Sequence, residues 1–199
     1  MDLHERFLAL ARSHGAELER AEAWWHDLEA RYSDPHRHYH TLVHIGEMLA
    51  LLPHADETLL AAVWFHDAVY GGEGNEERSA ELAHRALTEL GFPAAIIEDV
   101  QILILATRTH DPSTLPPRHH PLLDADLAIL GSTPDRYREY AGQVRKEYSF
   151  VPDPLFRQGR AAVLRKFLKR PSIFATEEFR ARLEARAREN LAREITELA

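Results

Sequence analysis

The chain has 199 residues, 45% of them hydrophobic, with 24 Lys and Arg against 32 Asp and Glu and a formal net charge of −8. These figures fit one globular domain covering 1–199. They argue against binding a nucleic acid duplex or an anionic membrane surface, which needs clustered cations. Cysteine is absent, which removes disulfides, thiolate zinc sites and cysteine nucleophiles. A metal site in this chain would therefore rest on imidazole and carboxylate, which suit Mn, Mg, Fe, Co, Ni or Zn.

Taken in order, the chain reads as helices. Apolar residues at helical spacing run from Phe7 through Leu18, Trp25 and Leu28, predicting a helix from Leu3 to Tyr32 that ends at Ser33-Asp34-Pro35. A second helix is expected over Tyr39 to Leu52, closed by Pro53. The third covers Asp56 to Tyr70, with Asp56 as N-cap and Gly71-Gly72 as the stop. Asn75 to Leu90 forms the fourth, and Pro93 opens a fifth that reaches about His110. Residues 111–121 hold four prolines and predict an extended loop. Further helices follow at Leu122 to Leu130, Pro134 to Phe150 and Gln158 to Lys169, and Thr176 caps a last, highly charged one. No run alternates as a strand does, so the expected class is all-α.

No apolar run is long enough to span a membrane, and Val100 to Ala106 is the most apolar stretch. The start, MDLHERFLAL, lacks a signal-peptide charge pattern. A cytoplasmic protein is the expectation.

Thirteen histidines are several times the roughly 2% of ordinary composition, so only position and spacing can single one out. His66-Asp67 follows the apolar run Leu59 to Phe65, and two strongly solvated groups there need partners. His40 and His44 are four apart, which on a helix puts them on one face. The short connection at Leu52 to Asp56 makes the second and third helices antiparallel. Counting outward from that turn brings His44 level with His66-Asp67. Asp124 and Asp126, in the apolar segment Leu122 to Leu127, are candidates for a fourth ligand. Asp124 has the competing role of a helix cap.

A histidine, a His-Asp pair on the next helix and a distant aspartate resemble the ligand order of the HD superfamily of metal-dependent phosphohydrolases. Tyr39-His40-Thr41-Leu42-Val43-His44 looks like the segment that opens the site of cyclic-nucleotide phosphodiesterases, a distant branch. Arg37-x-Tyr39-His40, Trp64 to Tyr70, Asn75-Glu76 and Leu123 to Leu127 are similar to a bacterial group of predicted HD-type phosphohydrolases. The resemblance spans about 36–170 and implies an HD-type helical core there, with the N- and C-terminal helices packed on it. It implies His44, His66, Asp67 and Asp126 as metal ligands, with Asp67 also in the catalytic machinery, and it favours Asp126 over Asp124. It also implies His40 as general acid, protonating a departing alkoxide while the metal activates water. The 22 residues between His44 and His66 are fewer than typical of this superfamily, and counting from His40 gives 26, so His40 stays open as the first ligand.

Phosphate also calls for cations. Arg37, a turn before His40, and His110 are the expected substrate contacts; Arg108, Arg145 and the Arg157–Arg160 stretch are weaker candidates. The expected activity is hydrolysis of a phosphate ester of a small metabolite, with nucleotides as the leading class. A non-catalytic nucleotide- or metal-binding regulatory module and an HD-fold di-iron oxygenase are the alternatives.

Overall fold

The computed structural model describes residues 2–199, and among them are ten α-helices, three short 3-10 turns and no strand. The all-α expectation holds. The chain folds as two compact units, the first running to Leu122 and the second from Leu123 to Ala199.

The first unit holds α1 (Leu3–Ser13), α2 (Leu18–Tyr32), α3 (Leu42–Leu51), α4 (Glu57–Phe65), α5 (Asn75–Glu89) and α6 (Ala94–Ala106). Seven of the nine residues of α4 are buried, the mark of a helix that is apolar all round and enclosed by others. Helices α1, α3, α5 and α6 pack on it. Trp64 of α4 meets the rings of Phe7 and Trp25 edge-on, with centroids 5.5 and 6.1 Å apart, a favourable arrangement of aromatic quadrupoles.

Four expectations need correction. The single helix over Leu3 to Tyr32 is two helices, because the chain turns at Gly15 with φ of 81°, a conformation that costs glycine little. The second helix starts at Leu42, not Tyr39, because the Thr41 hydroxyl accepts from the Val43 amide and caps it. The third stops at Phe65, so His66 is its C-cap and Asp67 lies beyond it. Residues 111–121 are not extended: Pro112–Thr114 and Pro117–His119 form 3-10 turns, and the next α-helix already begins at His120. Proline preset to helical φ at the first position of each turn accounts for this.

The second unit takes in the rest of α7 (His120–Leu127), a 3-10 turn at Ala128–Gly131, α8 (Pro134–Glu147), α9 (Asp153–Leu168) and α10 (Glu177–Leu198). Helix α10 packs on α9 and on the 128–131 turn. A Cβ at Gly131 would fall 2.6 Å from the Leu183 Cβ, so that approach needs glycine. Fully buried Asn190 donates to the carbonyls of Leu130 and Ser132 at 2.9 and 3.0 Å. Arg188 donates to Leu168 and Arg170 carbonyls at the end of α9, groups a helix end leaves open. At the centre Arg160 forks onto Glu194 at 2.8 and 3.2 Å, and the Tyr137 hydroxyl donates to the same carboxylate. Burial, then the Glu194 charge and hydrogen bond, hold the Tyr137 hydroxyl well above its ordinary pKa.

Candidate metal centre

Two irregular stretches and one helical turn of the first unit carry its polar cluster: the 33–41 turn ahead of α3, residues 66–69 after α4, and the first turn of α3. His44 and His66 are 2% and 1% exposed, and their Nε2 atoms lie 3.3 Å apart. The Asp67 carboxylate, 22% exposed, places Oδ2 3.1 Å from His66 Nε2 and 3.9 Å from His44 Nε2. The hairpin of α3 and α4 therefore does bring His44 level with His66-Asp67, as the residue count from the turn predicts.

The protons decide what this cluster can do. His66 Nδ1 lies 3.0 Å from the Val63 carbonyl. A carbonyl only accepts, so Nδ1 carries the proton, and in a neutral ring Nε2 presents its lone pair. That lone pair meets a carboxylate oxygen at 3.1 Å, acceptor against acceptor. A proton on His44 Nε2 would satisfy the two rings but would leave this second contact repulsive. A cation between the groups, a second proton on His66 or a proton on Asp67 relieves it. Donors bound to one ion at about 2.1 Å sit about 3.0–3.4 Å apart at tetrahedral or octahedral angles. Two of the three separations lie in that range, and the third, between His44 and Asp67, is wider at 3.9 Å. The donor set fits a divalent ion, with the Val63 carbonyl fixing the His66 tautomer as outer partners of metal-bound imidazoles do. His44 and His66 both belong to a histidine and aspartate group that could hold a metal ion.

His40 is not on the helix with His44; it lies in the turn before Thr41. Its ring still sits near, with centroids 6.1 Å apart. It stacks on Tyr70 at 4.4 Å and meets Tyr39 edge-on at 5.0 Å. Its Nε2 is 4.0 Å from Asp67 Oδ2, and its side chain is 22% exposed where that of His44 is nearly sealed.

The expected substrate contacts fare differently. Arg37 is buried, and its guanidinium donates to the carbonyls of His40, Asp67 and Ala68; it is built into the protein rather than turned to a ligand. His110 closes α6 in a half-buried turn with φ of 50°, its amide on the Ala106 carbonyl. Arg108 pairs with Glu76 and Glu77, Arg145 and Arg157 with Asp153, and Arg160 with Glu194. Ser79, which the sequence reading passed over, is fully buried and ties residue 69 down: its hydroxyl accepts from the Val69 amide at 3.0 Å and donates to the Val69 carbonyl.

Of the two aspartates on α7, Asp124 is 1% exposed and spent. Its carboxylate accepts from the amides of Ala175 and Thr176 and from the Thr176 hydroxyl, at 2.6, 2.8 and 2.6 Å. It anchors the entry to α10 instead of capping its own helix. Asp126 is partly exposed on the same helix, in the second unit. Comparison with known proteins returns no match: no protein-family model, no curated protein and no solved structure is significantly similar to the chain.

Proposed function

We propose that the protein is a metal-dependent phosphohydrolase that cleaves a phosphate ester of a small metabolite, with nucleotides the leading class. The observation that carries this reading is the 3.1 Å approach of the His66 Nε2 lone pair to the Asp67 carboxylate, beside the buried His44 ring. His44, His66 and Asp67 would hold the ion. Asp126 is proposed as a further ligand in preference to Asp124, whose carboxylate is committed to the start of α10. Mn, Mg, Fe, Co, Ni and Zn all suit such an imidazole and carboxylate set. When bound, the ion supplies Lewis acidity toward phosphorus and lowers the pKa of water.

The chain's own residues would do the rest. His40, held by Tyr70 and Tyr39 and partly exposed, would give its proton to the departing alkoxide, a role imidazole suits as a general acid. Its place outside α3 and its greater exposure than His44 support a proton donor over a first ligand.

Metal analysis of the purified protein, followed by a screen of phosphate esters with Mn, Mg, Co or Ni, tests the proposal. Bound metal and phosphate release, both lost in Asp67→Ala, are the expected result. No metal at all, with His66→Ala changing only stability, would remove the metal centre. Tightly bound iron pairs without phosphatase activity would favour the di-iron oxygenase, and nucleotide binding that survives Asp67→Ala without turnover would favour the regulatory module.

A further inference from the structure

Two irregular turns meet at the cluster, one carrying His40 and the other Asp67, and neither has a helix to hold it. Their carbonyls need donors from elsewhere. Arg37 supplies them: NH1 donates to the His40 carbonyl at 3.0 Å and to the Asp67 carbonyl at 2.7 Å, and NH2 to the Ala68 carbonyl at 3.1 Å. The side chain is 9% exposed. Its guanidinium carbon lies 4.9 Å from the centre of the Tyr32 ring and 5.3 Å from that of Tyr70, and the His40 ring stacks on that same Tyr70. The Tyr32 hydroxyl in turn donates to the Trp64 carbonyl, at the end of α4.

We infer that Arg37 is a positioning residue that locks the His40 turn to the Asp67 turn, so that the proton donor and the ligand cluster keep their spacing before any ion arrives. The inference rests on the metal-centre reading and adds to it a residue that touches neither ion nor substrate. The guanidinium holds three carbonyls through two nitrogens fixed in one plane; an ammonium has one nitrogen on a rotating stem and cannot take the places of NH1 and NH2 together. Lysine at this position keeps the charge and loses the clamp.

The test uses the whole chain, Mn²⁺ alone as probe, and two variants. Arg37→Lys is expected to keep its helical circular dichroism while its Mn²⁺ affinity by calorimetry falls about 10- to 100-fold, the cost usual for losing an outer partner of a metal site. In metal-free Arg37→Lys at fixed pH, the ring carbon resonances of His40 and His66 should both shift. Arg37→Ala should regain Mn²⁺ affinity when millimolar guanidinium chloride is added but not with the same sodium chloride; if that variant does not fold, the lysine variant decides. An Arg37→Lys protein that binds Mn²⁺ within about twofold of the parent, with ring resonances unmoved, overturns the inference. Should the parent itself take up no Mn²⁺, the metal-centre reading fails, and the ring resonances alone decide whether Arg37 sets the turns.

Discussion

Each unit buries a polar cluster, and the two are assembled differently. In the second unit Glu194 receives two bonds from Arg160 and one from Tyr137, and Arg160 also donates to the Tyr140 hydroxyl. Donors meet acceptors throughout, and the negative charge lies against a positive one. In the first unit the His66 Nε2 lone pair and a carboxylate oxygen face each other at 3.1 Å, beside a further imidazole nitrogen at 3.3 Å. Two acceptors at that distance repel, so this contact does not stabilise the fold as the Arg160–Glu194 fork does. Complementarity marks a cluster that holds the fold together; facing acceptors are what the proposed metal centre would require.

Three measurements press on that contrast. The largest effect is expected from His40→Ala: turnover falls on the order of 10²- to 10⁴-fold, as for loss of a general acid, while Mn²⁺ affinity is kept. A matching loss of Mn²⁺ affinity would make His40 a ligand and move the acceptor-rich cluster by one turn of chain. Next, Glu194→Ala strips the partner from a buried guanidinium, and urea unfolding should show about 3–5 kcal/mol of lost stability with Mn²⁺ binding intact. A loss below about 1 kcal/mol would mean that the balanced cluster is not structural. The smallest effect has the opposite sign. Asp67→Asn turns an acceptor into an amide donor beside the His66 lone pair, and the metal-free protein should gain about 1 kcal/mol. A lower metal-free melting temperature would show instead that His66 is an imidazolium paired with Asp67, and that the first unit follows the same rule as the second.

Most of the helices were legible in the sequence because apolar spacing, caps and breakers act over a few residues. Asp56 and Thr176 cap the helices they were expected to cap. Boundaries failed where two local signals competed. Apolar spacing continues across Gly15 and hides the break, and Thr41, read as the interior of a helix, is its cap. That misreading put His40 on the same helix as His44. The pairing of His44 with His66-Asp67 was legible because a short turn links their helices, so counting residues sets their heights. Arg37 and Asp124 were not. Their partners lie 30 and 31 residues away for Arg37 and 51 and 52 for Asp124, and no local pattern reports which carbonyls or amides a fold will leave waiting for them.

Helix α4 stops at Phe65, and its last carbonyls therefore have no amides following in register. Trp64 gives its carbonyl to a tyrosine hydroxyl and Val63 gives its own to the ring of His66. The place where a helix runs out thus chooses which nitrogen of a histidine is basic. One more turn of helix would bring a backbone amide to the Val63 carbonyl as well, and the ring would share that oxygen instead of holding it alone. In this chain the tautomer of a side chain thus rests on a carbonyl that helix length leaves open to it, and lengthening α4 would loosen that hold without altering any residue of the cluster.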